Sequence, residues 1–347
     1  MSSDETPPPH ARDDGGQITP FANSGNHQAT AMTDFRRAAA ELPRTPITHV
    51  RYVAQAVPDL SASAAFYGGI WGLREVGRDG DVIFFAAAGS DEPYVLRLRA
   101  APEKHLDVAA FGARNRGDVD ALAETLLSAG VRLDRRPSEL VTPGDGYGLR
   151  FFDPDGRLIE VSAELTPRVA RELEPGESIP RKVSHVVFNS GQIETTVAFY
   201  EQMLGFQVID WLGDVMAFLR VGADHHVLAI TRAPHSSFNH IAFDMRGLEE
   251  YLRGTGRLMR QGVRPVWGPG RHGPGDNTFS YFVDPNGNVA EYTSELQQMY
   301  PDDPYCGRVW ATSAEDNDQW GTGGLIEEFL PFAMNQPDPL LWTPSPI

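Results

Sequence analysis

The feature that most constrains this chain is that it is written twice. The stretch "FFDPDGRLIEVSAEL" at residues 151–165 returns as "YFVDPNGNVAEYTSEL" at residues 281–296. The triplet "AFY" ends at Tyr67 and again at Tyr200, an offset of 133, while Asp153 and Asp284 open the two Asp-Pro-X-Gly turns at an offset of 131. Near-constant spacing over a hundred residues marks an internal duplication, and a duplication dictates architecture before any single motif does. The Asp, Pro and Gly of the turn are themselves ordinary hairpin residues; the flanking pattern carries the information.

That pattern is a strand, a helix and further strands, and it occurs four times. "ITHVRYVAQAV" alternates like a strand, "DLSASAAFYGGIWG" reads as a capped helix ended by glycine, and "DVIFFAAA" and "PYVLRLRA" read as strands. "LDVAAFGARN" and "DVDALAETLLSAG" start the second unit, "VSHVVFNS" and "IETTVAFYEQMLG" the third, "FNHIAFDM" and "LEEYLRGTGRLMRQG" the fourth. The expected organisation is a disordered arm over residues 1–44, with a short helix at "TDFRRAAAEL", then one module over 45–166, a second over 180–296, and a tail over 297–347.

Composition narrows the function. A net charge of −17 with no cluster of Lys and Arg argues against nucleic acid and anionic membranes as partners. The single cysteine, Cys306, excludes an intrachain disulfide and a thiolate-cluster metal site. No apolar run approaches the ~20 residues of a membrane span, and the N-terminus lacks the basic start and apolar core of a secretory signal. The expectation is a cytoplasmic protein whose partner is a small molecule or another protein.

Histidine placement sharpens this. Six of the ten histidines fall between His185 and His272, all in the second module. Paired βαβββ modules with "HVVF", "NHIAF" and "FVDPNGNVAEYTSE" in that order resemble the vicinal oxygen chelate superfamily, and within it the two-domain type I extradiol ring-cleaving dioxygenases of the homoprotocatechuate and catechol 2,3-dioxygenase kind. The resemblance spans about residues 45–296. It implies an α+β fold of four βαβββ-type units in two tandem glyoxalase/bleomycin resistance/dioxygenase-like domains, each a curved open barrel, assembled as a homo-oligomer.

It also implies a divalent metal, Fe(II) or Mn(II), held by His185, His240 and Glu291. Two imidazoles and a carboxylate on one face leave coordination sites open for a catechol and O2. His226 would act as acid and base beside the oxygen site, and His272 and Tyr281 would hydrogen-bond the phenolic oxygens. His225, its side chain on the opposite face from that of His226, is read as a surface residue, and His235 as having no chemical role. The duplication supplies a control: His185, His240 and Glu291 map onto Tyr52, Val108 and Glu160. The first module keeps the carboxylate without the imidazoles, so it is expected to be non-catalytic, with Glu160 solvated or paired elsewhere.

The sequence departs from the arylacetate-cleaving enzymes at the pocket. Trp267 replaces an arginine before "GPGRHG", the tail lacks an arginine pair, Phe218 stands at an aromatic wall position, and Val187 replaces an asparagine. Trp267, Phe218 and Val187 would favour a neutral ring, with Arg271 or Arg308 left to bind an acid group. The tail could fold over the site or make an oligomer contact. Two other readings stay open: a non-redox isomerase or epimerase of the same superfamily, which usually draws ligands from both modules, and a small-molecule-binding resistance protein, which needs no metal triad.

Overall fold

In a computed structural model, residues 45–300, 305 and 307–342 are described. The expected arm over 1–44, its short helix, and Cys306 lie outside the described residues.

The first module is an eight-stranded mixed sheet built from β1 (Ile47–Val57), β2 (Arg74–Asp79), β3 (Val82–Ala86), β4 (Leu96–Ala100), β5 (His105–Ala113), β6 (Leu133–Glu139), β7 (Tyr147–Phe152) and β8 (Leu158–Ala163), in the order β2-β3-β4-β1-β5-β8-β7-β6. The second repeats it with β9 (Lys182–Ser190), β10 (Gln207–Leu212), β11 (Met216–Arg220), β12 (Leu228–Arg232), β13 (Ser237–Asp244), β14 (Trp267–Arg271), β15 (Thr278–Val283) and β16 (Val289–Ser294). A tail strand, β17 (Arg308–Trp310), adds parallel to β10, giving β14-β15-β16-β13-β9-β12-β11-β10-β17. Each sheet stays open, as the four-unit reading implied.

The helices of the four repeated units pack into the shared core. α1 (Leu60–Ala65) starts where the Asp59 carboxylate accepts from the Ala62 amide at 2.9 Å, and continues as a wider π-helical turn over Phe66–Trp71. α2 (Arg116–Ser128), α3 (Ile193–Leu204) and α4 (Leu248–Arg260) follow in the other units. Gly72 and Gly205 end the equivalent helices with φ of 95° and 71°, a conformation that costs glycine little. The tail adds α5 (Ala314–Asn317) and α6 (Ile326–Met334). No helix among the described residues is long and apolar enough to cross a membrane.

The two marks of the repeat meet across the modules. The Tyr67 hydroxyl donates to Asp284 at 3.3 Å, and the Tyr200 hydroxyl donates to Asp153 at 3.2 Å. Each aspartate also accepts from two amides of its own turn, Asp155 and Arg157 in one case and Asn286 and Asn288 in the other. The turn aspartates are therefore more than turn residues: they are buried acceptors for the partner module's helix. Behind them one apolar core runs through both modules, from Phe111 and Trp71 to Phe188, Phe243 and Tyr292.

Candidate metal centre and its cavity

Period-two alternation aims β9 at two surroundings. Val186 and Phe188 enter the shared core, while His185 and Val187 line a cavity of about 450 Å³ on the other face. Strands β9 to β15 all contribute to that lining, so the second sheet curves round it. On β13 a register irregularity between Phe238 and His240 lets two neighbours, Asn239 and His240, share the cavity wall. β16 brings Glu291 beside Ala242 and directly opposite Tyr281 of β15.

These strands gather the expected ligand set. One donor atom each from His185, His240 and Glu291 lies within 4.8 Å of the others, and all three residues are buried. His185 Nε2 and His240 Nε2 stand 3.1 and 3.2 Å from Glu291 Oε2. Burial holds both imidazoles neutral, His185 down to about 3 and His240 below its ordinary value despite the carboxylate, and pushes Glu291 up.

The approaches to Glu291 resemble ion pairs in distance but not in hydrogen bonding. His240 Nε2 and both Glu291 oxygens are buried without a hydrogen-bond partner. The proton on His240 can be located from a chain that ends at a backbone carbonyl. Asn189 Nδ2 donates to the Ala333 carbonyl at 2.8 Å, Asn239 Nδ2 donates to Asn189 Oδ1 at 2.8 Å, and His240 Nδ1–H donates to Asn239 Oδ1 at 2.7 Å. His240 Nε2 is therefore a bare lone pair aimed at a carboxylate. Orphaned lone pairs converging in a dry site are costly unless a cation lies among them, so the residues fit a divalent metal.

The other expected residues surround this set. His226 lines the cavity with its ring centroid 4.4 Å from that of His185, and Phe218 packs at 5.1 Å from His226. His272 Nδ1–H donates to the Asn317 carbonyl at 2.9 Å, which leaves Nε2 to accept from the Tyr281 hydroxyl at 2.8 Å. Burial lowers His272 to about 4 and His226 well below its usual value, and raises Tyr281 well above its own. Trp267 stacks on Tyr281 with an interplanar angle of 11°.

Three expectations need correction. Arg271 is not among the cavity-lining residues; its guanidinium donates to Asp276 at 2.9 and 3.0 Å and to Glu295 at 2.8 Å. Arg308 lies over the Trp310 ring, also away from the lining. His225 is fully buried rather than on the surface, because Asp210 and His226 take its two ring nitrogens. His235 has a structural part, since Nε2 lies 3.1 Å from the Met334 carbonyl at the end of α6. Sequence reasoning missed Asn189 and Asn239, visible only as polar residues in the two strands; the tail, expected either over the site or at an oligomer contact, brings Ile326, Phe329, Leu330 and Met334 of α6 to the cavity lining.

The duplicated positions in the first module are filled differently. In the register of β1 and β5, Tyr52 stands opposite Ala110 and Val108 opposite Ala54, as His185 stands opposite Ala242 and His240 opposite Val187. Tyr52 packs against Tyr94 at 4.6 Å, in a small apolar cluster with Val108 and Phe84. Glu160 is neither solvated nor a ligand there; Arg150 holds it at 2.9 Å.

Comparison with known proteins agrees with this geometry. Residues 48–161 and 182–292 match the Glyoxalase/Bleomycin resistance protein/Dioxygenase superfamily. Metapyrocatechase 2 of Cupriavidus necator is 30% identical over 319 residues, covering 85% of this chain and 95% of the relative. The manganese-dependent 2,3-dihydroxybiphenyl 1,2-dioxygenase of Geobacillus genomosp. 3 is 26% identical over 255 residues, covering 67% and 80%. The crystal structure of a Mn(II)-bound glyoxalase from Novosphingobium aromaticivorans superimposes with a TM-score of 0.82 at 43% identity, covering 86% of this chain and 98% of that one. Two matched modules, one carrying a complete His-His-Glu set and the other none, place the chain in the glyoxalase/bleomycin resistance protein/dioxygenase superfamily, with its type I extradiol dioxygenases.

Proposed function

We propose that the protein opens the ring of a neutral, apolar-substituted catechol beside the diol, placing both atoms of O2 in a muconic semialdehyde-type product. The reaction balances without a co-reactant, because the ring supplies the electrons that reduce O2. The observation that carries the reading is the company kept by the ligand set: His226, His272 and Tyr281 line the same cavity as His185 and His240. Ring cleavage needs such proton-handling groups around a half-open metal face.

His185, His240 and Glu291 would hold Fe(II) or Mn(II), which when bound supplies a redox-active Lewis acid joining catechol and O2. The chain's own side chains do the rest. The Tyr281 oxygen, its proton directed to His272, is free to accept a hydrogen bond from a substrate hydroxyl. The ring of His226 lies beside the His185 edge of the site, where it would take up and return a proton as oxygen is transferred. Val187, Leu212, Phe218, Trp267, Phe329 and Leu330 give the cavity an apolar wall that excludes water and grips a ring substituent.

The cavity also argues against acidic substrates. Among the described residues, the one guanidinium or ammonium group on its wall is Arg232, which Glu194 holds at 2.5 Å. A carboxylated catechol would be desolvated there without a counter-ion. The tail, through α6, serves as the site's cover, and the enzyme works as a cytoplasmic homo-oligomer in aromatic breakdown.

The likeness to a protein called a glyoxalase gives the isomerase reading a direct test. Metal-loaded protein offered neutral and acidic catechols in air should consume O2 and turn yellow fastest with alkyl or aryl catechols. Isomerisation of a methylglyoxal–thiol adduct without O2 uptake from any catechol would reverse the assignment.

A further inference from the structure

The stretch "GPGRHG" at residues 268–273 does more than carry His272. Its first residues belong to β14, an edge strand of the second sheet, and the tail lies along them. The Gly268 amide donates to the Gly323 carbonyl and the Gly273 amide to the Asp316 carbonyl, each at 2.9 Å, and the Gln319 amide donates to the Arg271 carbonyl at 2.7 Å. Thr322 Oγ1 adds a bond to the Pro269 carbonyl at 2.6 Å. A Cβ at Gly270 would come within 2.7 Å of Asp318 Oδ1, and one at Gly273 within 2.5 Å of the Asp316 carbonyl oxygen, so glycine at both positions is what lets the tail approach.

One side chain ties this tail loop together. Asp318 is buried at the end of α5, and three backbone amides point at its carboxylate: Arg271 at 3.0 Å and Trp320 at 3.1 Å on Oδ1, and Gly323 at 2.7 Å on Oδ2. A backbone amide only donates, so both carboxylate oxygens act as acceptors. The residue before it, Asn317, ends the helix and carries one of the carbonyls that a helix end leaves without an intrahelical partner. That carbonyl accepts from His272 Nδ1–H at 2.9 Å. The other edge of the His272 ring meets the Tyr281 hydroxyl at 2.8 Å, and Phe279 stacks on its face with ring centroids 4.0 Å apart.

We propose that Asp318 is a positioning residue: by clamping the tail loop to β14 it sets the Asn317 carbonyl that holds the His272 ring toward Tyr281 and the cavity. The inference rests on the reading of His272 and Tyr281 as the groups that meet the phenolic oxygens. Asp318 is not among the cavity-lining residues, whereas Asn317 and His272 both are, so its influence on the reaction runs through His272. The tail then contributes twice, once through the apolar wall of α6 and once by aiming a polar group at the substrate. An asparagine at position 318 has a single acceptor oxygen and would turn an NH2 group toward a backbone N–H, so it breaks the clamp with almost no change of shape.

A four-variant cycle of wild type, Asp318→Asn, His272→Asn and the double variant tests this, assayed with unsubstituted catechol, which makes little use of the α6 wall. Asp318→Asn should lower kcat about 10- to 100-fold when His272 is present. In the His272→Asn background the same change should cost less than about twofold, with metal content and KM changed no more than that in either background. Equal losses in both backgrounds would make Asp318 a general stabiliser of the fold and overturn the proposal, as would an unchanged kcat. If Asp318→Asn does not fold, hydrogen exchange of the wild type decides: the Arg271 and Gly323 amides should exchange as slowly as those of β15, and exchange at the rate of an open loop would overturn the clamp. Failure of the wild-type enzyme to consume O2 with any catechol would instead count against ring cleavage, since exchange reads the clamp without turnover.

Discussion

Arg150 stands across from Glu160 in the first module as Tyr281 stands across from Glu291 in the second. One substitution in the duplicated strand pair accounts for the opposite fates of two carboxylates. Glu160 is neutralised by a guanidinium at 2.9 Å, with Arg51 a further 3.6 Å away, while Glu291 keeps both oxygens free of hydrogen bonds. A charge brought along a strand replaces the ion that the second module would take from solution.

Arg150→Met should therefore destabilise the fold without touching the chemistry. Removing one partner of a buried ion pair costs 3–5 kcal/mol in general, and Arg51 keeps the expectation near the lower end, about 3 kcal/mol. Urea unfolding of the variant checks the loss. Metal content should stay at one ion per chain, and a second ion appearing in the first module would contradict the equivalence.

Glu291→Gln keeps the shape of the ligand and removes its charge. Metal content should fall to a small fraction of wild type. Adding metal at a hundred times its dissociation constant should stabilise the wild type by about 2.7 kcal/mol, and the variant hardly at all. Thermal melts with and without chelator distinguish the two.

Acid sensitivity of the metal-free protein follows from four buried imidazoles. His185 and His272 are held down to about 3 and 4, and His226 and His240 are also lowered, in each case chiefly by burial. An unfolded histidine titrates near 6.5, so below that pH the unfolded chain binds protons that the folded chain refuses. This stabilising contribution is fully present above about pH 6.5 and is lost as pH falls toward 4 and then 3. His272 alone accounts for at most about 3 kcal/mol. Urea unfolding from pH 7 to 4 should show uptake of more than one proton, whereas a flat profile would mean the imidazoles are solvated.

Phe329 tests whether the tail belongs to the site. Its ring lies 4.4 Å from that of Tyr281 and lines the cavity, although it is 38 residues away in sequence from the last metal ligand. Phe329→Ala should raise KM for alkyl catechols about thirtyfold, the equivalent of about 2 kcal/mol of lost apolar contact. A carboxylated catechol, which gains little from that wall, should be affected less.

How much of this could be read beforehand depended on the kind of signal. The duplication and the alternating central strands announced themselves, because their apolar residues must reach a core at fixed period. β2 and β6 did not, since "REVGRD" and "LDRRPSE" lie at sheet edges where one side meets water and the alternation fades. The ligand set was legible through the family resemblance of the motifs around His185, His240 and Glu291, and the duplication then showed that the first module has no imidazoles at the matching positions. Arg271 misled because a sequence shows a charge without showing its partners, here Asp276 and Glu295. His225 misled for the converse reason: Asp210 is fifteen residues away, and the β10–β11 hairpin with the bend that follows it brings the two within reach.

The most direct test of the account supplies 18O2 to metal-loaded enzyme with an alkyl catechol and weighs the product. The account predicts that both labelled atoms enter one ring-opened molecule, apart from label that the aldehyde later exchanges with water. A product with no label from O2, or one formed equally well without oxygen, would contradict ring cleavage and leave the histidines round His185, His240 and Glu291 to serve a different reaction.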